Sequence, residues 1–340
     1  MQAPASGGPW RQGLRRLGRN RVALAFLGLF FLIVAFVLAA PLWANDVAHS
    51  GPNETHTLEK VVVNGEKRDV VNPEGKPIGP VWFGAGGKFF LGADSRLGRD
   101  EMVRLMYGGR TSLFISIVAA LITTLLATVL GLLSAYYRGW TDSVISRAMD
   151  VLWAFPVLLL AIALGIALAV GGLRIGPIHL SGGSVWIPIL IIGFISIPYM
   201  ARPLRGEALA LREKEFVEAA VAQGAGSTRI MFSELLPNLW STIIVFSALN
   251  VANNLLLESA LSYLGVGVQA PNASWGTMIA TGQQLITSAP LLTIIPGTMI
   301  LLTVLSLNVF GDGLRDALDP RSKVRLEARA GVAEPEGTAI

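Results

Sequence analysis

The sequence contains no cysteine and few charged residues, and these two absences exclude most classes of soluble protein. Without cysteine among its 340 residues, the chain has no disulfide bond, no thiolate metal site and no cysteine nucleophile. Charged residues make up only 15% of the chain, whereas a soluble domain contains roughly 25%. Hydrophobic residues make up 52%. This balance predicts a polytopic membrane protein.

Long charge-free stretches predict six transmembrane helices. A spanning helix needs about 20 apolar residues, because the hydrocarbon core of a bilayer is roughly 30 Å thick. A cleaved signal peptide is the alternative for the first stretch, but its apolar run, 22–40, is longer than the roughly 7–15 residues that such peptides use. The predicted helices lie at about 22–40, 111–137, 151–173, 185–201, 235–257 and 290–310.

Basic residues favour an orientation with both termini inside the cell. In that orientation the cytoplasmic segments contain 17 basic residues, and the two short outer loops contain only Arg174. An excess of Lys and Arg is typical of cytoplasmic loops in membrane proteins. The rule also accounts for the net charge of +4, so no nucleic-acid partner is expected.

The sequence divides into five predicted regions. The loop that follows the first helix, 43–108, is long enough to fold as a small domain. Two short β-type runs within 58–71 flank Asn64-Gly65, a dipeptide that favours a tight hairpin turn. Residues 99–107 predict a short interfacial helix before the second span. The predicted regions are a cytoplasmic segment (1–21), the first helix (22–42), an extracytoplasmic loop domain (43–108), a five-helix core (109–312) and a cytoplasmic tail (313–340).

The cytoplasmic segment 202–237, which we call the elbow, has the composition of two short helices joined by glycines. Helix-forming residues occupy 204–211 and 213–223, before a break at Gly224–Thr228. Ser227 or Thr228 is predicted to cap a second helix, and Pro237 is predicted to end it. By composition alone, a solvated helical hairpin explains the elbow as well as a functional element does.

One acidic residue, Glu258, lies at the edge of the fifth predicted span, close to Asn250 and Asn254. Asn254 and Glu258 are four residues apart and therefore share a helix face. Ionisable groups within a membrane tend to mark transport pathways, so Asn250, Asn254 and Glu258 are candidate residues of a translocation path. The alternative is a structural polar contact with a partner chain or a neighbouring loop.

Four blocks of sequence carry a resemblance to a known family. The elbow contains Glu218-Ala-Ala-x3-Gly224 and then Leu236-Pro237, which resembles the EAA loop of ABC importer permeases. Glu234 stands where the general motif has isoleucine, although a polar residue is common there in the peptide branch. The other three blocks resemble the C-type permeases of the dipeptide, oligopeptide and nickel branch; they are LGRD (97–100) with LMYGGR (105–110), LSYLGVGV (261–268) with SWG (274–276), and GDGLRDALDPR (311–321).

This resemblance implies a type I ABC importer permease with an all-α, MetI-like core of six transmembrane helices in a bacterial or archaeal cytoplasmic membrane. The chain itself would be neither an enzyme nor a cofactor-binding protein. Its partners would be membrane lipid, a homologous second permease, an extracytoplasmic substrate-binding protein and two ATP-binding subunits that hold ATP and Mg²⁺. The imported solute would be a dipeptide or oligopeptide, with nickel as another solute of the same branch.

In that family the EAA loop carries a coupling helix that docks on the ATPase. The resemblance therefore implies that Phe216, Val217 and Ala220 are apolar contacts with an ATP-binding subunit. Small residues at this position allow close approach of the backbone. The complete set of expected coupling residues is Glu215, Phe216, Val217, Glu218, Ala219, Ala220 and Gly224.

The main alternative is a secondary transporter driven by an ion gradient. Such proteins usually contain internal repeats and broken helices with ion sites near the midplane. We find no repeat between the halves of the sequence and no charged residue in the middle of a predicted span. Gly86-Gly87-Lys88 lacks the spacing of a phosphate-binding loop, so ATP hydrolysis would require partner chains.

Overall fold

Long helices dominate the computed structural model, which describes residues 13, 15–94 and 97–318. Five helical segments are long and apolar enough to cross a membrane, and a bent pair of shorter helices makes up to six. The predicted tail from 313 onward lies largely outside the described residues. The helices of eight or more residues are α1 (Arg21–Leu38), α2 (Glu101–Tyr137), α3 (Gly139–Ala154), α4 (Val157–Gly171), α5 (Trp186–Ile195), α6 (Ile197–Arg212), α7 (Glu215–Ala222), α8 (Leu236–Tyr263), α9 (Trp275–Gln283) and α10 (Leu291–Leu318).

Helix α2 corrects the prediction of a separate interfacial helix at 99–107. The helix runs without a break from its first residue, because the side chain of Asp100 caps it by accepting a hydrogen bond from the backbone N–H of Val103 at 3.1 Å. Arg104 and Met106 are buried. The first turns of the helix therefore lie inside the protein and not at a membrane interface, since other parts of the chain cover them.

The third predicted span is not one straight helix. Helices α3 and α4 meet at an angle of 86°, and the break lies at Phe155 and Pro156. Phe155 is extended, with φ −94° and ψ 143°, as expected for a residue before proline. The 15 residues of α4 span only about 22 Å at 1.5 Å per residue.

The elbow is also more continuous with the spans than the sequence predicted. Helices α5 and α6 form one segment from Trp186 to Arg212, so the first predicted elbow helix is the end of a span. On the other side, a single helical segment runs from Ser227 to Tyr263. The predictions of a Ser227 or Thr228 cap and of a stop at Pro237 were therefore wrong, and the residue that precedes the helix is Gly226.

A π-helical turn at Ile230–Leu235 explains why Pro237 does not end this helix. Proline lacks an N–H, and its ring clashes with the carbonyl four residues earlier in a regular α-helix. The wider turn places Pro237 in the first turn of α8, where an N–H is not needed. The side chain of Asn238 donates to the carbonyl of Glu234 at 2.7 Å, which satisfies an acceptor at this junction.

The loop after α1 folds as a small domain, and the predicted hairpin is confirmed. Strands β1 (Lys60–Val63) and β2 (Glu66–Asp69) pair in antiparallel register. Asn64 and Gly65 both have positive φ, 51° and 89°, as in the type I′ turn that suits a two-residue hairpin. The buried apolar core of the domain consists of Val61, Val63, Val70, Val81, Phe89 and Ala93.

Buried charges join the loop domain to α2 through the short strands β3 (Ala93–Asp94) and β4 (Arg99–Asp100). Asp94 lies 2.5 Å from Arg99 and 3.3 Å from Arg104. Arg104 also donates to the carbonyl of Pro52 at 2.9 Å. Burial raises the pKa of Asp100, although three backbone N–H groups oppose the shift by hydrogen bonding to its carboxylate. The cluster fixes the domain on the outer end of the helix.

Two further strands, β5 (Leu173–Ile175) and β6 (Ile178–Leu180), form a hairpin after α4. Helix α2 is central to the bundle and packs against α5, α6 and α8, while α1 packs against α10. Three apolar clusters fill the bundle: one beneath the elbow, one between α2 and α5, and one around Trp275.

Candidate coupling elbow and buried polar layer

Helix α7 lies across the end of the bundle between the two spans that enter and leave the elbow. Glu213 ends α6, and the extended backbone of Lys214, with φ −91° and ψ 148°, precedes α7. The N–H of Val217 bonds to the carbonyl of Lys214 at 2.9 Å, which closes the first turn. A two-residue connection thus reverses the chain and presents a short helix at the surface.

The two faces of α7 differ in exposure, and only some of the predicted contact residues lie at the surface of this chain. Val217 and Ala220 are buried, and Val217 belongs to the same apolar cluster as Ile230. Their spacing of three residues puts them on one helix face, which packs against the chain's own bundle. Of the three residues expected to contact an ATPase, only Phe216 is exposed. Val221, which is outside the predicted set, is also exposed and lies on the opposite flank of the buried face.

The remaining predicted coupling residues of α7 are accessible. Glu215, Glu218 and Ala219 are all exposed, so the outer face combines two carboxylates with apolar and small side chains. Because a small residue such as Ala219 permits close approach, this face can accept a partner surface. No contact with another chain has been observed, so the coupling role of these residues stays a prediction.

Gly224 forms the C-terminal cap of α7. Its φ is +80°, in the left-handed region that glycine adopts without a steric penalty. The N–H of Gly224 bonds to the carbonyl of Val221 at 2.9 Å, and the N–H of Ala225 bonds to the carbonyl of Ala220 at 3.0 Å. These two bonds define a Schellman motif. The glycine of the sequence motif therefore sets the angle at which the chain leaves α7.

Ion pairs fasten the helices beneath the elbow. Arg205 of α6 binds Asp142 of α3 through two nitrogens, with Nε to Oδ1 at 2.6 Å and Nη2 to Oδ2 at 2.5 Å. This bidentate geometry is the most directional form of an ion pair. Closer to α7, Arg138 lies 2.8 Å from Glu213. The turn between α2 and α3 is thus joined to the segment that carries α7.

A groove of about 330 Å³ lies beside α7. Glu218 and Val221 line one side, and Tyr136 and Arg212 line the other. The Arg212 guanidinium lies over the Tyr136 ring at 5.4 Å from its centre, an arrangement that is favourable for a cation. The groove is large enough for a side chain of a partner protein, and it offers that side chain both charge signs.

The candidate path residues Asn250, Asn254 and Glu258 lie on one side of α8 and are completely buried. Asn254 accepts a hydrogen bond from Ser196 at 2.9 Å. Asn250 has no partner for its side-chain nitrogen or oxygen among the residues that the structure describes. The three residues form a polar layer inside the chain in this conformation, and their role in a path stays a prediction.

The contacts of Glu258 support the structural alternative. Ser262 donates to the Glu258 carboxylate at 2.7 Å and accepts from the backbone N–H of Val268 at 3.0 Å. The carboxylate thereby holds the turn that follows α8. Gly267 lies so close to Ser262 that a Cβ at this position would overlap it. The LSYLGVGV block is thus explained by packing and hydrogen bonding within the chain.

The LMYGGR segment (105–110) and the SWG segment (274–276) contact each other, although they are 164 or more residues apart. A Cβ on Gly109 would lie 2.6 Å from Cζ2 of Trp275, and a Cβ on Gly108 would lie 3.2 Å from the carbonyl carbon of Ser274. The Trp275 indole is fully buried and donates to the carbonyl of Leu105 at 3.0 Å. Both segments were recognised in the sequence as motifs of a family, but only the structure shows that they form one contact.

Two family models match the chain. Residues 127–324 match the binding-protein-dependent transport system inner membrane component, and residues 8–57 match the N-terminal transmembrane domain of oligopeptide transport permease C. The first model covers more than half of the chain. The chain belongs to this family of inner membrane transport components. It is therefore a multi-pass membrane permease subunit and not an enzyme.

Curated relatives match over nearly the whole length. The dipeptide transport system permease of Alkalihalophilus pseudofirmus is 36% identical and covers 93% of this chain and 91% of its own. The glutathione transport system permease of Pectobacterium atrosepticum is also 36% identical, and the match covers 93% of this chain and 92% of the relative. The oligopeptide transport system permease of Bacillus subtilis is 33% identical, and the match covers 92% of this chain and 90% of the relative. The predicted membership in the peptide branch of ABC importer permeases is confirmed.

A solved structure shows the same fold. The inward-facing MetNI methionine ABC transporter matches with a TM-score of 0.53 at 15% identity, over 64% of this chain and 97% of that chain. At this identity the likeness concerns the fold alone. It confirms the predicted all-α, MetI-like permease core, with five or six candidate spans in the described residues.

Proposed function

We propose that the chain is a transmembrane permease subunit of an ATP-driven ABC importer for dipeptides or oligopeptides. The observation that carries this proposal is the similarity over 92–93% of the chain to permeases named for dipeptide and oligopeptide transport. The relative named for glutathione supports the same chemical class, because glutathione is itself a short peptide. The membrane would be the cytoplasmic membrane of a bacterium or an archaeon.

The working transporter requires partners. An ABC importer contains ATPase and permease subunits, and we propose a homologous second permease that completes the translocation path. Two ATP-binding subunits would hold ATP and Mg²⁺, and an extracytoplasmic binding protein would deliver the peptide to the loop-domain side. Support for this arrangement comes from the family description, in which transport depends on a binding protein.

The elbow would connect ATP hydrolysis to the spans. Phe216 and Val221 are exposed apolar residues of α7, and burying them against an ATP-binding subunit is favourable because it removes apolar surface from water. The buried Val217 fastens α7 to the bundle, so motion of an ATPase would move the elbow together with the spans. The ion pair of Arg205 with Asp142 would extend this connection to α3.

The test uses the complex of this chain with its second permease and its ATP-binding subunits, reconstituted in liposomes with ATP inside and with peptide and the substrate-binding protein outside. Ala219→Arg places a long charged side chain on the exposed face of α7 without disturbing the buried face. We expect the complex to assemble, but both the uptake of peptide and the stimulation of ATP hydrolysis by peptide should be lost. Ala210→Arg, at an exposed alanine of α6, is the matched control and should retain both.

Two results would contradict the proposal in different ways. Wild-type uptake by Ala219→Arg in an intact complex would exclude docking through α7 while leaving the permease function in place. Uptake by the chain alone, without ATP and in response to an imposed ion gradient, would replace the ABC importer with a secondary transporter.

A further inference from the structure

The loop domain carries an exposed aromatic patch made of Trp43, Trp82, Phe83 and Phe90. The Phe90 ring is the centre of the patch, and its centroid lies 5.5 Å from that of Trp43, 5.2 Å from that of Trp82 and 5.0 Å from that of Phe83. All three pairs have the edge-to-face geometry that aromatic rings prefer. Trp82 is 57% exposed and Phe83 is 70% exposed, so the outer two rings have large uncovered surfaces.

The patch lies at the end of a transmembrane helix. The helical segment that contains α1 continues to Ala48, and its charge-free part from Val22 to Asn45 rises about 36 Å, enough to cross a hydrocarbon core of roughly 30 Å. Leu38 and Leu42 lie near the outer end of this charge-free part, and both are more than 60% exposed. Trp43 follows directly. Trp43, whose ring contacts Phe90, therefore joins the patch to the outer end of a membrane-spanning segment.

The backbone holds the patch in this position. Trp82 has a φ of +51°, which is a costly conformation for a bulky residue and persists only where surrounding structure enforces it. Its N–H bonds to the carbonyl of Phe90 at 3.1 Å. Gly87 packs against Val47, and a Cβ there would lie 2.5 Å from Cγ1 of Val47. The segment from Trp82 to Phe90 is thus fastened to the chain that leaves α1.

The core of the loop domain does not use these rings. Phe89 points into the domain and is fully buried in its apolar cluster, whereas the neighbouring Phe90 joins the patch. The strained Trp82 also lies outside that cluster. Packing within the domain therefore does not account for two exposed rings beside a membrane helix.

We propose that the aromatic patch rests in the headgroup layer of the outer leaflet and fixes the loop domain against the membrane surface. Tryptophan is enriched at this depth because its ring is apolar and its N–H is polar. The occupant of the patch is phospholipid, which meets the exposed rings of Trp82 and Phe83. The indole nitrogen of Trp43 is buried, so Trp43 links the patch to the membrane helix and does not itself contact the headgroups. This role concerns the orientation of the loop domain and does not depend on the transported solute or on the elbow.

This chain contains no cysteine, so one introduced cysteine is its single labelling site when the purified chain is labelled before assembly. Phe83→Cys and Leu58→Cys each receive an environment-sensitive fluorophore in this way and are then assembled with the unlabelled partner subunits. Leu58 is the matched control, since it is an apolar residue of the same domain that is 95% exposed and outside the patch. The complex is reconstituted in liposomes of equal parts phosphatidylethanolamine and phosphatidylglycerol, with and without lipids that carry a nitroxide quencher near the headgroup.

We expect a blue-shifted emission at position 83 and a loss of its intensity when nitroxide lipid is present, with neither effect at position 58. Trp82→Cys repeats the measurement at the adjoining ring and should give the same result. Emission at position 83 that matches position 58 and resists nitroxide lipid would overturn the proposal. It would equally be overturned if the fluorophore at position 83 were shielded only after the substrate-binding protein is added, since the patch would then be a protein-docking surface.

Discussion

The elbow and the contact between Gly109 and Trp275 were both found as family motifs, but they are placed in opposite environments. In α7, the face with Phe216 and Ala219 is open to solvent, and the motif glycine, Gly224, shapes a turn at the surface. At the other end of the bundle, Trp275 is fully buried, and Gly109 packs so closely against its ring that a Cβ there would overlap it.

This difference shows that a recurring motif does not by itself indicate a contact with a partner. A buried motif stabilises the fold, so substitution should lower the free energy of unfolding. A motif at the surface should tolerate substitution in the isolated chain and lose function only in the assembled transporter. The following predictions test that distinction, from the largest expected effect to the smallest.

Trp275→Ala should have the largest effect on stability. Removing a fully buried indole leaves a cavity and costs about 3–5 kcal/mol, and the carbonyl of Leu105 loses its donor. The unfolding temperature of the purified chain in detergent measures the loss. Trp140→Ala is the control, because Trp140 is 83% exposed and its removal should cost below about 0.5 kcal/mol. Equal losses for the two variants would refute the assignment of Trp275 to the core.

Gly109→Ala tests the partner of the same contact. The added methyl group would overlap Val37 and Trp275, and overpacking of this kind costs about 1–3 kcal/mol. Gly28→Ala in α1 is the control, since nothing lies within 4 Å of its added Cβ and alanine favours helix. A stabilised Gly109→Ala chain would show that α2 and α9 separate more easily than their contact indicates.

Gly224→Ala should affect the elbow with a smaller loss of stability. Holding alanine in the left-handed conformation costs roughly 1–2 kcal/mol, and the chain can avoid part of this by leaving α7 at a different angle. The stimulation of ATP hydrolysis by peptide should therefore be largely lost, while the unfolding temperature should fall only slightly. Gly226→Ala is the control, because Gly226 has a φ of −73° and open space around it. Unchanged coupling in Gly224→Ala would remove the exit angle of α7 from the mechanism.

The ion pair of Arg205 with Asp142 should make the smallest contribution. Both side chains are partly exposed, 31% and 21%, and pairs near water are worth below about 1 kcal/mol. A double-mutant cycle of Arg205→Gln and Asp142→Asn measures the coupling energy, which should fall with added salt. The more exposed pair Arg138 and Glu213 should give a smaller value. A larger coupling energy for Arg138 and Glu213 would contradict this ranking by exposure and would mean that the pair nearer to α7 is the stronger one.

Much of the fold could be predicted because it depends on local patterns. Charge-free stretches located the spans, and Asn64-Gly65 located the hairpin. The bend between α3 and α4 was missed because a proline in an apolar stretch, here Pro156, can bend or break a helix depending on its packing. Pro237 was misjudged for the opposite reason, since the preceding π-turn removes the clash that normally ends a helix.

The sequence predicted where the short helix α7 lies in the chain, but not which of its faces is exposed. The spacing of Val217 and Ala220 already indicated a common helix face, yet the sequence does not say whether that face meets a partner or the chain's own bundle. The burial of Arg104 was missed because its partners, Asp94 and the carbonyl of Pro52, come from other segments of the chain. Contacts between distant segments of this kind leave no local pattern.

The uninterrupted helix that begins within the elbow, at Ser227, makes the molecule a long lever. Its 37 residues extend about 55 Å, from the end of α7 to the turn that Glu258 holds through Ser262. For a rigid rod of that length, a tilt of about 5° at one end displaces the other by roughly 5 Å. The π-turn that admits Pro237 thus allows a small angular change at one membrane surface to become a displacement of nearly a full helical turn at the other.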